Sequence, residues 1–205
     1  MDKGKLIENL IREGHEKSGF TGAWLYAEQG KSVSKGAIGM KYPDGNEPIR
    51  EDTLFYLASV SKQFTAAAIM LLRRQKMLDL EDEITKYFPE IPYTGVTIRH
   101  LLTHTGGLPD YMPWVEKLAK QENIIPGNEI IIRFLCECGE EPLFAPGERW
   151  EYCNTGYCLL AEIIEKASGM SFEEYTRTNQ GVMPKFNKHP SGWGKVRSVK
   201  PIQNE

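Results

Sequence analysis

Residues 55–69 read FYLASVSKQFTAAAI, and how this stretch is read decides the rest of the chain. The short apolar run LFYLAS leads into residues 61–77, SKQFTAAAIMLLRRQKM, rich in the strong helix formers Ala, Leu and Met. Phe64, Ala67, Ala68, Leu71 and Leu72 recur at the spacing of one helix face, which predicts an amphipathic helix. Ser59 and Lys62 stand three residues apart at its start, so they share a face. A serine hydroxyl is a poor nucleophile near neutral pH and needs an adjacent base. A lysine serves as that base when burial leaves part of it neutral. On brevity alone, S-x-x-K fits an N-cap serine and a solvated lysine better than a catalytic pair. Ser61 is the weaker candidate nucleophile, because adjacent helical positions do not face each other.

A second cluster lies at Tyr152-Cys153-Asn154, after Phe144-Ala-Pro-Gly147. In an extended stretch, positions i and i+2 point to the same side, so a phenol and an amide would project together. A tyrosine beside an ammonium is pushed toward phenolate and shuttles protons. An amide can hold a lysine or a substrate carbonyl. The plainer alternative is a half-buried aromatic followed by an N-cap Asn opening the helix NTGYCLLAEIIEKASGM.

Outward from these two clusters the pattern mixes helices with a little sheet. Leu6, Ile7, Leu10 and Ile11 mark an N-terminal amphipathic helix. TGAWLYAE and KSVSKGAIGM, joined at Gln29-Gly30, predict a strand hairpin. LDLEDEITKYF predicts a helix with an acidic first turn, and FAPGERWEYC an extended run. TIRHLLT predicts a short helix stopped by Gly106-Gly107, and GNEIIIRFLCECG another helix. Ser171 and Glu174 form the capping-box pattern of a last helix. Residues 178–205 read as an irregular basic tail: from 179 onward the net charge is +4, against −7 for the rest.

Composition excludes several classes. With 205 residues, 40% hydrophobic and 26% charged, the chain is an ordinary globular one, long enough for one core. A net charge of −3 leaves no nucleic-acid footprint. No apolar run approaches a membrane span, and the N-terminus lacks the apolar core of an export signal, so the expectation is a cytoplasmic chain. Cys136, Cys138, Cys153 and Cys158 match no common zinc spacing; reduced thiols are expected, with no metal and no cofactor.

FYLASVSKQFTAAAI, TIRHLLTHTGGLPDY and FAPGERWEYCNTGYCLLAEIIE, in this order, resemble three blocks of the serine β-lactamase and penicillin-binding-protein family, which includes class C β-lactamases, D-Ala-D-Ala carboxypeptidases and many esterases. The resemblance runs from about Gly19 to about Tyr175. It implies an α/β architecture of the α+β type, with a helical part packed on an incomplete antiparallel sheet, over residues 1–177. Carried over by motif, it implies Ser59 as acylated nucleophile, Lys62 as general base, Tyr152 as second proton-transfer residue and Asn154 as the substrate-binding amide. The implied reaction is hydrolysis of a small ester, amide or β-lactam through an acyl-enzyme. The family's third motif, K-[ST]-G or H-x-G, has no counterpart here; His189-Pro-Ser-Gly192 is one residue too long. That reads as a C-terminally truncated relative, and the rival expectation is a catalytically impaired binding module. No G-x-S-x-G elbow is present, which sets aside the α/β-hydrolase fold. His100, His104 and Asp110 invite a Ser-His-Asp triad, but S-x-x-K already supplies a base, so structural roles are expected for them.

Overall fold

A computed structural model describes residues 2–55, 57–122 and 128–179. The expected basic tail lies, from residue 180 onward, outside the described residues. Two compact units divide the chain, residues 1–57 and 58–205.

The first unit holds helix α1 (Lys3–Ser18) and the antiparallel strands β1 (Gly22–Glu28) and β2 (Lys31–Ile38). Asp2 caps α1 by accepting the Gly4 N–H, and Gly19 ends it in the left-handed conformation. The hairpin turns at Gln29-Gly30, both at positive φ, the backbone that a two-residue loop needs to match strand twist. Trp24 lies across the strand pair over Gly36, and its Nε1–H donates to the buried Ser34 hydroxyl at 2.9 Å. The helix face expected from Leu6 and Leu10 stays exposed; Gly4 is the buried contact of α1, against the Val33 carbonyl.

The second unit is helical in its described part. Helices α2 (Lys62–Arg74), α3 (Ile98–Leu102), α4 (Met112–Glu122), α5 (Glu129–Glu137), α6 (Asn154–Ser168) and α7 (Phe172–Thr178) surround one apolar core. Helix α6 lies at its centre and packs against α2, α3, α5 and α7. Its Leu159, Leu160, Ile163 and Ile164 are fully buried with Ile69 and Leu72 of α2, Ile98 of α3 and Ile131 and Leu135 of α5. Spacing had put Phe64 and Ala67 on the buried face of α2; both are half-buried, and Ile69 and Thr65 are buried instead. Gly169 stops α6, and the Ser171 hydroxyl accepts the Glu174 N–H to open α7.

Two local expectations are revised, and one helix is added. LDLEDEITKYF forms a 3-10 turn at Ile84–Lys86, not a full helix. The Asp79 and Asp82 carboxylates accept the Glu81 and Asp79 N–H groups, and residues 80–84 pair with 96–99 through Ile84 N to Val96 O, Ile98 N to Asp82 O and Arg99 N to Leu80 O. FAPGERWEYC bends at Ala145–Glu148, where Glu148 accepts the Ala145 N–H, before it extends into residues 151–153. Helix α4 carries no counterpart in the sequence reading; Asp110 starts it by accepting the Met112 N–H. Among the described residues, no helix is long and apolar enough to cross a membrane.

The segment after α3 is fastened to the segment before α6. Leu143 N donates to Gly107 O, Gly147 N to Thr105 O and Glu151 N to His104 O, at 2.8, 2.8 and 2.9 Å. Gly107, at φ +68°, passes so close to Phe144 that a Cβ there would lie 2.1 Å from its carbonyl oxygen. Gly169 has a similar φ, +70°, with open space around it. Gly169→Ala should therefore cost about 1 kcal/mol, from backbone strain alone. Gly107→Ala should cost at least about 2 kcal/mol more, from the added clash. Urea unfolding of the two variants side by side checks this, and equal losses would mean the close approach is not rigid.

Candidate active site

The backbone before α2 sets the first two groups. Ala58–Ser61 forms a 3-10 turn running directly into α2. Ala58 holds φ +45°, a left-handed conformation that a residue with a Cβ adopts at a cost. Ser61 donates its hydroxyl to the Ala58 carbonyl at 2.6 Å, so it is spent locally. Ser59 is left exposed two residues before it, with Lys62 on the same face.

Residues 151–153 bring the other two groups. Cys153 is extended (φ −138°, ψ 125°), and Asn154 is the first residue of α6. Tyr152 and Asn154 therefore reach the same place. The Ser59 Oγ and Tyr152 Oη lie 2.6 Å apart, Lys62 Nζ donates to Ser59 Oγ at 3.2 Å, and Lys62 Nζ donates to Asn154 Oδ1 at 3.0 Å. All four residues singled out in the sequence meet in one hydrogen-bonded cluster. The Lys62 nitrogen also lies 5.0 Å from the centre of the Tyr152 ring and 5.5 Å from that of Tyr157.

Two further residues hold this cluster, and sequence reasoning gave neither a role in it. His104, at φ +57°, packs its ring against those of Tyr152 and Tyr157, with centroids 4.6 and 5.1 Å away. Its Nδ1 accepts the Cys153 N–H at 3.2 Å, which requires the neutral ring with its proton on Nε2. Asp110 Oδ2 accepts both the Asn154 N–H and the Asn154 side-chain amide, at 3.0 and 3.1 Å. His100 caps α3, with its Nδ1 accepting the Thr97 N–H. The two histidines thus bond backbone and Asp110 bonds backbone and the Asn154 amide, not in a Ser-His-Asp line. The signal for Asp110 was its place two residues before a helix start carrying Pro113 in the first turn.

Electrostatics sort the candidate proton carriers. Burial alone would raise the pKa of Tyr152, but hydrogen bonds from Lys62 and Ser59 and the charge of Lys62 outweigh it and hold the phenol below its ordinary value. His104 is lowered, by burial and then by the Lys62 charge. Tyr157 is raised by burial and then by Tyr152. Cys153, although it stands between the two site residues, is raised by burial, and burial pushes the Cys158 thiol up to about 12. Both thiols stay protonated and are poor nucleophiles. Among the described residues, no three His, Cys, Asp or Glu side chains gather as a metal site.

Residues 7–179 match the family described as Beta-lactamase. The chain is 42% identical over 178 residues to penicillin-binding protein 4* of Bacillus subtilis (strain 168), covering 87% of this chain and 39% of that protein. Among solved structures, the octameric penicillin-binding protein homologue from Pyrococcus abyssi superposes with a TM-score of 0.68 at 33% identity, over 87% of this chain and 42% of that one. A class C β-lactamase gives 0.69 at 25% identity, over 87% and 49%. The chain thus spans about two fifths of the length of the curated relatives it matches.

The His104 contacts make stability fall on the acid side. Its folded pKa lies below the unfolded imidazole value of about 6.5, so the unfolded chain takes up the proton first. Stability present above about pH 6.5 is lost as the pH falls through the lower folded value. His104→Asn keeps an acceptor near the Nδ1 position and tolerates the left-handed backbone. Thermal melts at about pH 7.5 and about pH 5 should show a smaller acid-side drop in this variant than in the wild type. Equal drops would remove His104 as their source.

Proposed function

The chain belongs to the Beta-lactamase family, and from that premise we propose that it is a serine acyl hydrolase acting on a small ester, amide or β-lactam through an acyl-enzyme on Ser59. The observation that carries this reading is the convergence on the Ser59 oxygen of Lys62 at 3.2 Å, three residues along the chain, and Tyr152 at 2.6 Å, 93 residues along it. In the proposed first step the Lys62 amine takes the Ser59 proton while Oγ attacks the substrate carbonyl carbon. The tetrahedral intermediate collapses, the bond to the leaving group breaks, and that group leaves with a proton delivered through Tyr152 or Lys62. Water then attacks the ester on Ser59 with the same groups serving in reverse, releasing the acid and restoring the hydroxyl.

Each residue's environment supports its share. Tyr152, lowered by its neighbours, passes a proton between Ser59 and a leaving group more readily than a free phenol does. Asn154 offers Lys62 a neutral acceptor, which orients the amine without adding a second formal charge beside it. Ser61 gives its hydroxyl proton to the Ala58 carbonyl and shows no such neighbours among the described residues, so the serine two positions earlier is the proposed nucleophile.

A fluorescent penicillin and a fluorophosphonate should each label the chain at Ser59, with the adduct mapped by peptide mass spectrometry. Ser59→Ala should abolish labelling, and Lys62→Ala should slow it by about 10²–10⁴-fold. An adduct on Ser61, or unchanged labelling of Ser59→Ala, would overturn the assignment. A folded chain that binds these probes reversibly with no adduct would support the binding-module alternative instead.

A further inference from the structure

We propose that Asp110 is a positioning residue that fixes which way the Asn154 amide faces, and so decides whether Lys62 can act as a base; this rests on the Ser59 acyl-enzyme reading above. An Asn side chain is nearly symmetric in shape but not in chemistry, since one end accepts and the other donates. With Oδ1 toward Lys62, the amide accepts one amine proton, and in the neutral amine of the proposed first step the lone pair stays free for the Ser59 hydroxyl, to which Lys62 Nζ here donates. With the ends exchanged, the NH2 group would donate into that lone pair and compete with Ser59 for it, or would oppose an ammonium donor to donor.

Once Lys62 is the neutral amine that the proposed first step requires, nothing on its side forces the productive choice, because such an amine both donates and accepts. The choice is made on the far side. A carboxylate only accepts, and Asp110 Oδ2 receives the Asn154 Nδ2–H at 3.1 Å and the Asn154 backbone N–H at 3.0 Å. The other carboxylate oxygen receives the Met112 N–H at 2.9 Å. Asp110 is itself held, because its neighbours are tied to α6: Tyr111 N donates to the buried Thr155 hydroxyl at 3.0 Å, and that hydroxyl donates to Pro109 O at 2.7 Å. One carboxylate therefore starts α4, starts α6 and orients the amide.

Asp110→Asn preserves the shape and removes one of the two acceptors. Its NH2 must then face either Met112 N or Asn154, so the amide at 154 loses its one-sided constraint. Acylation by a fluorescent penicillin, followed by stopped flow, should show the first-order acylation constant falling about 10- to 100-fold, with the preceding reversible binding constant changed less than about threefold. A merely structural role for Asp110 would lower acylation by the same factor when residue 154 is already alanine. The proposal requires that Asp110→Asn change the constant less than about twofold in the Asn154→Ala background. A wild-type rate in Asp110→Asn, or an equal loss in both backgrounds, overturns it. A measurement on the unaltered chain stands apart from both folding of the variant and reactivity of Ser59. In chain labelled with 15N-asparagine, one Asn154 Nδ2 proton should be shifted downfield and slow to exchange, with no nuclear Overhauser effect to the Lys62 Cε protons. A strong effect to those protons would place the NH2 against Lys62 and overturn the proposal. Absence of any acylation of Ser59 would instead strike the functional reading, leaving the amide orientation decided by the spectrum.

Discussion

Helices α2 and α6 bury their apolar stripes against each other, and this packing is what the candidate site hangs from. Ile69 and Leu72 on one side and Leu160, Ile163 and Ile164 on the other are fully buried. Lys62 is the first residue of α2 and Asn154 the first of α6, so the helices start where the two side chains meet. Removing apolar area from water at roughly 25 cal/mol per Å² makes the register of these helices expensive to change. A hydrogen bond in the half-exposed cluster is worth only about 1 kcal/mol net. The core fixes the geometry, and the polar cluster inherits it.

A second layer refines what the core provides. The strand-like run of hydrogen bonds between residues 104–107 and 143–151 brings the Tyr152 segment to the open end of α2. His104 then supplies an acceptor and a flat face, and Asp110 an acceptor pair. Side chains that would otherwise sample several rotamers are each held by two or more contacts, so little rotamer freedom is left to them.

Much of this was legible in the residues. The periodicity of Phe64–Leu72 and of NTGYCLLAEIIEKASGM gave the two central helices, and the S-x-x-K and Y-x-N spacings gave the four clustered side chains. The hairpin followed from Gln29-Gly30 between alternating segments. What periodicity could not give was anything decided by pairing at a distance. Residues 78–88 carry helix-like composition, but Asp79 and Asp82 bond their own backbone and the run pairs with 96–99. Helix α4 escaped because its start depends on the Asp110 carboxylate, whose N-cap signal is short. His104 and Asp110 were visible as suggestive residues, yet only the positions of Cys153 and Asn154 in space say what they do.

Ala58 gives this chain a distinctive trade. At φ +45° it stores roughly 1–2 kcal/mol of steric tension next to the proposed nucleophile. A glycine there would adopt the same backbone without penalty but would leave the serine's peptide free to swing. One methyl group thus sets a measure of folding free energy against a narrower choice of backbone at the residue before Ser59.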